Sequence, residues 1–517
     1  MLNRFFGTNF HTSFHLFGIS AFAVGLPTSK VILSLASILL LLNVLLEGNF
    51  KSYWQNIRSN RLLHILSAFW LLHLVALLWT SDFTFAFNDI RVKVTLVLLP
   101  LILVAKPIEQ KQLILPFSLF IGSLLVTSFY NFASYNHWIG HHQYDDIRGL
   151  SLFGSHIRYG ILISMGAGIC IYYFHHFKGL LKFLFFLGFL WFSYYTYYSQ
   201  IISGVVALAI VVLSYFLFLV FSYSKKLGYF SVFTIIAGVV VFFTVLFLNP
   251  SANSLNTDYT ILDKNARTAS GNAYTPLYNA DGSINHQAIF VNVCEPEINK
   301  EWSKRSTYNI DSLDDRKQAI RFTILRYMTS KNLNKDSVGV SKLSNQDIRN
   351  IEKGIGSIEE SESGLISRID GIRFQLYHNE NPNGHSLLQR LAFWKAGTEI
   401  IKQHWLLGVG TGDVQTAFNA EYERSHSKLL PENRLRAHNS YLTSWISFGI
   451  LGFVLFLLMN ISFLVQQINT RNLVGIMFIL IAMSTFLIED TLETQMGVSF
   501  FAFFYGIFAL RKTNSPS

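Results

Sequence analysis

Ile202-Ser203-Gly204-Val205-Val206-Ala207-Leu208-Ala209-Ile210-Val211-Val212-Leu213-Ser214-Tyr215-Phe216-Leu217-Phe218-Leu219-Val220-Phe221 runs without a single charged side chain. A helix of that length covers about 30 Å, the thickness of a bilayer's hydrocarbon layer. Comparable runs lie at 10–27, 30–47, 62–80, 92–105, 112–134, 157–174, 180–198, 228–248, 438–465, 472–488 and 495–510. The chain is 51% hydrophobic, 15% aromatic and only 14% charged, the balance of a polytopic membrane protein. The fold expected is therefore all-α and polytopic, with about twelve transmembrane helices. A large, mainly helical outer loop domain falls between spans nine and ten. The expected divisions are 1–248, 249–437 and 438–517.

Loop charges orient the chain. Lys51, Arg58, Arg61, Lys106, Lys111, Lys178, Lys182, Lys225, Lys226, Arg471, Arg511 and Lys512 fall on one side. Asp82, Asp89, Asp145, Asp146, Glu489, Asp490 and Glu493 fall on the other. By the positive-inside tendency both termini are cytoplasmic and 249–437 is outside. The first run follows a single Arg4 and has no small-residue cleavage site before a polar start, so it reads as a retained span. The formal net charge of +10 forms no compact basic stripe. Membrane lipids rather than nucleic acid are the expected surroundings. Cys170 lies in an apolar run and Cys294 in a polar loop, with no disulfide or metal-ligand spacing.

Within the outer segment, Ser312-Leu313-Asp314-Asp315 resembles a helix start, followed by Ile320, Ile324, Tyr327 and Met328 on one face. Further helix starts are expected near Ser344 and Ile358. The strongest helix runs from Ser386 to His404, with Leu387, Leu388, Leu391, Trp394 and Ile401, then Trp405 just beyond it, available to bury. Gly408-Val409-Gly410-Thr411-Gly412-Asp413 follows a helix rather than a strand. It reads as a tight turn against the membrane part, not as a nucleotide loop.

Three groups could carry chemistry. The first is Arg436-Ala437-His438-Asn439 at the membrane boundary, followed by Gly449 and Gly452. An imidazole there can take and return a proton near neutral pH, Asn439 can hydrogen-bond beside it, and the glycines allow close helix packing. The second is a set of arginines. Arg148 and Arg158 flank the outer start of the sixth span, against the usual charge bias, and Arg434 and Arg436 lie just upstream of His438. Arg91 and Lys93 stand near the fourth span. A guanidinium fork suits a diphosphate. The third is His141, His142, Asp145 and Asp146, which reads as a solvated loop, so no metal site is expected. Glu489, Asp490 and Glu493 can pair with the arginines or orient the histidine.

His438-Asn439, nine residues, Gly449, two residues and Gly452 resembles the signature of the O-antigen ligase/polymerase superfamily of bacterial envelope proteins. The stretch from Arg390 and Trp394 to Leu407-Gly408-Val409-Gly410-Thr411-Gly412 is similar to the segment before that signature. Glu489-Asp490-Thr491-Leu492-Glu493-Thr494-Gln495-Met496-Gly497 resembles the tail of Bacteroidota-like members. Where members often carry Ser-Arg-Gly, this chain reads Ser199-Gln200-Ile201-Ile202-Ser203-Gly204, so Arg148 and Arg158 are assigned to share that arginine's role. The resemblance implies a GT-C-like glycosyltransferase in the bacterial inner membrane with its active site on the periplasmic face. It implies a glycan donor on undecaprenyl diphosphate and an acceptor hydroxyl on lipid A-core, another glycan or protein. O-antigen ligation leads, ahead of repeat-unit polymerisation and protein O-glycosylation; a lipid-linked glycan transporter is the rival of a different class. His438 would be the general base, Arg158, Arg390, Arg148 and Arg436 would hold the diphosphate, and Asn439, Gly449, Gly452 and Glu489 would support them. The transfer would invert the anomeric centre, without cofactor or metal.

Overall fold

The computed structural model describes residues 3–140, 150–151, 155–248, 267–275, 288–315, 318–358, 382–383 and 386–509. The described residues are helical throughout, with three isolated bridges and no strand. Ten helices come first: α1 (Asn3–Thr28), α2 (Lys30–Glu47), α3 (Phe50–Arg58), α4 (Arg61–Val75), α5 (Phe83–Ala105), α6 (Ile114–Tyr135), α7 (His156–His176), α8 (Gly179–Tyr198), α9 (Ile202–Tyr223) and α10 (Lys225–Leu248). Four short ones follow: α11 (Glu295–Trp302), α12 (Ile320–Ser330), α13 (Ser337–Ser341) and α14 (Asn345–Glu352). The last five are α15 (Ser386–His404), α16 (Val414–Arg424), α17 (Ser440–Asn469), α18 (Leu473–Phe486) and α19 (Gln495–Ala509).

The chain divides into two compact units. One comprises 1–231, 393–423 and 435–517; the other comprises 232–392 and 424–434. The edges at 392/393, 423/424 and 434/435 thus fall inside the expected outer segment, and the edge at 231/232 falls within α10, inside the expected first division.

Among the described residues, seven helical stretches are long and apolar enough to cross a membrane: Lys30–Glu47, Arg61–Trp79, Gln110–Tyr135, His156–His176, Gly179–Tyr198, Ile202–Tyr223 and Ser440–Asn469. Their outward side chains are apolar and bare, with Leu78 85%, Leu180 72% and Val126 70% exposed. Water does not tolerate so wide an apolar surface, whereas lipid does. The protein is an integral membrane protein. The expected count of about twelve is met only in part. All twelve runs are helical, but α18 and α19 span 14 and 15 residues, and α5 carries Asp89, Arg91 and Lys93.

Packing in the first unit centres on α7 and α19. Small residues let helices approach, since lipid offers no hydrophobic drive toward helix association. Gly160 of α7 faces Gly204 of α9 backbone to backbone, and Ser164 Oγ donates to the Gly204 carbonyl at 3.0 Å. Aromatic rings fill the rest, with Phe463 stacked on Tyr505 at 4.5 Å and Phe22 on Phe503 at 5.4 Å.

In the second unit, Trp302, Ile324, Tyr327, Met328, Val340 and Ile351 form a core. Ser344 and Asp347 make the capping box that starts α14. The helix start expected at Ser312–Asp315 is not there: α12 begins at Ile320. Asp314 instead closes a turn, accepting from the Gln318 backbone N–H at 2.9 Å and the Thr323 hydroxyl at 2.6 Å. The start expected near Ile358 runs into 359–381, outside the described residues. α15 has the expected limits, but its buried face is Phe393, Ala396, Gly397, Ile400 and Ile401, while Leu391 and Trp405 are exposed.

Candidate functional site

The site grows from the N-terminus of α17. Asn439 is its N-cap: the side-chain oxygen accepts from the N–H groups of Tyr441 at 3.0 Å and Leu442 at 3.1 Å, satisfying donors a helix start leaves open. Its amide also donates to the Leu487 carbonyl at 3.1 Å, tying α17 to the segment joining α18 to α19. Asn439 therefore fixes the place of its neighbour.

That neighbour, His438, has a φ of 46°, a left-handed conformation that costs a non-glycine residue about 1–2 kcal/mol. Local contacts hold it there. The His438 N–H donates to Asp490 Oδ2 at 2.9 Å, and Asp490 Oδ1 accepts from the Thr443 hydroxyl at 2.7 Å. Trp394 Nε1 donates to the Ala437 carbonyl at 3.0 Å, and the Phe393 ring packs against the imidazole at 5.7 Å. Strain retained this way is typical of functional positions. Burial, then the neighbouring Glu493 carboxylate, push the Asp490 carboxyl up from the usual range.

Gly449 and Gly452 do not share one face of a continuous helix, as their spacing suggests. Gly449 adopts φ 63° and ψ −160°, breaking α17 into 440–448 and 450–469. The break admits the glycine turn: Val409 N–H donates to the Ile446 carbonyl at 2.8 Å, Gly410 N–H to Ser447 at 3.0 Å, and Ile450 N–H to Trp405 at 2.8 Å. A Cβ on Gly449 would stand 2.0 Å from the Leu406 carbonyl oxygen, and one on Gly452 would stand 2.7 Å from that of Ser444. The far end of the turn is anchored too. Asp413 accepts from the N–H groups of Ser81 and Asp82 at 2.6 and 3.0 Å, and the Thr411 hydroxyl donates to the His73 carbonyl at 2.8 Å. The turn is a brace for the short helix that carries His438 at its head.

Charge is concentrated on the connector between α18 and α19. Glu489 Oε1 accepts from Arg158 Nη2 at 3.0 Å, while its Oε2 stands 3.8 Å from His438 Nδ1. One carboxylate thus lies between an arginine and the imidazole. Nδ1 has no hydrogen-bond partner among the described residues, nor has the buried Nε of Arg158. Glu493 binds two cations with different oxygens: Arg436 Nη1 at Oε2, 2.9 Å, and Lys93 Nζ at Oε1, 2.5 Å. Lys93 also holds Asp89 at 2.8 Å, and the Arg436 guanidinium lies over the Phe85 ring at 5.1 Å. Burial pushes the Glu493 carboxyl upward, but Lys93 and Arg436 overcome it and hold the group well below the carboxylate range.

The structure thus brings together Arg158, Glu489, His438, Asn439 and Arg436, with Gly449 and Gly452 shaping the helix behind them. Arg390 falls in the second unit, where its Nη1 donates to the Ser386 carbonyl of its own helix at 3.3 Å. Arg148, with His141, His142, Asp145 and Asp146, lies outside the described residues. No group of His, Cys, Asp or Glu among the described residues has a metal-holding arrangement. The bracing roles of Phe393, Trp394 and Asp413 escape sequence reasoning, because their partners lie on other elements. Compared with known proteins, residues 344–457 match the family described as O-Antigen ligase, a stretch from α14 into α17 that contains Arg390, His438, Gly449 and Gly452. No curated protein matches the chain significantly. The family match supports the O-antigen ligase/polymerase superfamily.

Proposed function

We propose, for a chain whose residues 344–457 match the O-Antigen ligase family, that it moves a glycan from undecaprenyl diphosphate to an acceptor hydroxyl on the outer face of the inner membrane, foremost as an O-antigen ligase onto lipid A-core. The observation that carries this reading is Glu489, placed between Arg158 and His438. In a single displacement the acceptor oxygen bonds to the anomeric carbon as the bond from that carbon to the phosphate oxygen breaks. The acceptor's proton passes to His438, and the electron pair leaves with the diphosphate. Glu489 faces Nδ1 at 3.8 Å, which leaves Nε2 to meet the acceptor. One displacement inverts the anomeric centre.

Arg158 and Arg436 are the arginines paired with Glu489 and Glu493 on the connector beside His438. Each spends one N–H on a carboxylate, and their remaining donors suit the developing charge on the leaving diphosphate. Diphosphate is a good leaving group once so neutralised, so the step calls for no metal or nucleotide. Arg158→Ala is expected to raise the donor KM about tenfold or more, the loss of a charge-assisted hydrogen bond, in transfer assays on purified protein.

A strain lacking the protein, with its envelope glycans resolved on gels, tests the reaction. Long polymer trapped on the carrier supports ligation. Single repeats on lipid A would make the protein a polymerase, and naked glycoproteins with unchanged lipopolysaccharide a protein glycosyltransferase. Unchanged glycans of every kind would remove the reading.

A further inference from the structure

Lys93 is the least expected charge in the first unit. It stands on α5 with its side chain only 8% exposed, yet its partner Glu493 lies 400 residues away in sequence. A buried ammonium is costly unless paired. Here it is paired twice, with Asp89 at 2.8 Å and Glu493 at 2.5 Å. It also borders a small, mainly apolar cavity lined by Phe69, Leu96, Phe448 and Leu492 together with His73 and Thr443. With two carboxylates already compensating its charge, Lys93 is a poor direct ligand for an anion. Its effect falls on Glu493.

A carboxylate facing an arginine ordinarily takes it as a two-oxygen fork. Glu493 does not do so here: Lys93 donates to Oε1, and Arg436 meets the carboxylate through Nη1 at Oε2 alone. The Phe85 ring under the guanidinium fixes its plane. The pairs run in a chain from Asp89 through Lys93 and Glu493 to Arg436.

We propose that Lys93 is a positioning residue for the donor's diphosphate: by holding one oxygen of Glu493 it keeps Arg436 in a single-point contact and leaves the remaining guanidinium N–H groups for phosphate oxygens. This rests on the reading of Arg436 as a diphosphate ligand. When Lys93 is removed, Glu493 closes on Arg436 with both oxygens and withdraws a donor from the ligand.

The test uses the full-length protein in lipid nanodiscs, with undecaprenyl diphosphate as probe and undecaprenyl monophosphate as comparison. Lys93→Gln is expected to weaken diphosphate binding about tenfold, the effect of one charge-assisted hydrogen bond, with little change for the monophosphate. The charge-balanced pair Asp89→Asn with Lys93→Gln leaves no unpaired buried carboxylate and is expected to show the same loss if the single variant fails to fold. Arg436→Gln should lose a similar factor, and adding Lys93→Gln to it should cost nothing more. Wild-type diphosphate affinity in a folded Lys93 variant, beside a weakened Arg436→Gln, overturns the proposal alone. Wild-type affinity in Arg436→Gln overturns the underlying reading of Arg436. Additive losses, or equal loss for both lipids, assign Lys93 to general structure and overturn the positioning role.

Discussion

Replacing His438 by asparagine is expected to lower the rate of glycan transfer by about 10²–10⁴-fold while leaving the protein folded and inserted. Asparagine is the better substitution because position 438 sits at φ 46°, a conformation that asparagine tolerates and alanine does not. It keeps the backbone N–H that Asp490 accepts, and it loses the imidazole that faces Glu489. Donor binding, set by the arginines, should be nearly unchanged, so the loss should appear in kcat rather than in donor KM. Measuring both constants on one preparation checks this. A wild-type kcat in the asparagine variant would remove His438 from the chemistry.

Gly449→Ala is expected to produce a large loss of stability. The backbone there, at φ 63° and ψ −160°, is in a region almost reserved for glycine, and the new Cβ would meet the Leu406 carbonyl oxygen at 2.0 Å. No side chain can move aside to relieve a clash with backbone. The expected cost is about 3 kcal/mol or more, read as a lowered melting temperature in detergent or as degradation in the membrane. Transfer should fall with it, because the same break receives the turn that braces the short helix behind His438. An alanine variant with wild-type melting and activity would show that the break is dispensable.

How far the sequence foretold this varies with the kind of signal. The apolar runs were legible because a bilayer demands long uncharged stretches, and each of them is helical. Length then separates them: α18 starts only after Asn472, and Asp490 and Glu493 stand in the polar connector between α18 and α19. The capping box at Ser344 was legible because its donors and acceptors are local in sequence. The start expected at Ser312 was misplaced because Asp314 serves a turn as well as it would a cap. The role of Gly449 was misread for a related reason. Two glycines three apart fit a smooth helix face, and only the approach of Gly408–Gly410 shows that the backbone is broken there. Long-range pairing was legible only as a group, with Glu489 and Glu493 meeting arginines as expected but their individual partners unmarked. Nothing near Lys93 points to Glu493, and nothing near Arg158 singles out Glu489 from other acids on that side.

The central claim, that His438 and the arginines around Glu489 transfer a glycan from a lipid diphosphate, is open to one direct measurement. The purified protein is reconstituted with an undecaprenyl diphosphate-linked glycan and lipid A-core, and the product's anomeric configuration is read by NMR. Transfer with inversion, release of undecaprenyl diphosphate and loss of product in His438→Asn are the expected outcome. Retention of configuration, or movement of the intact donor across the membrane with no new glycosidic bond, would contradict it.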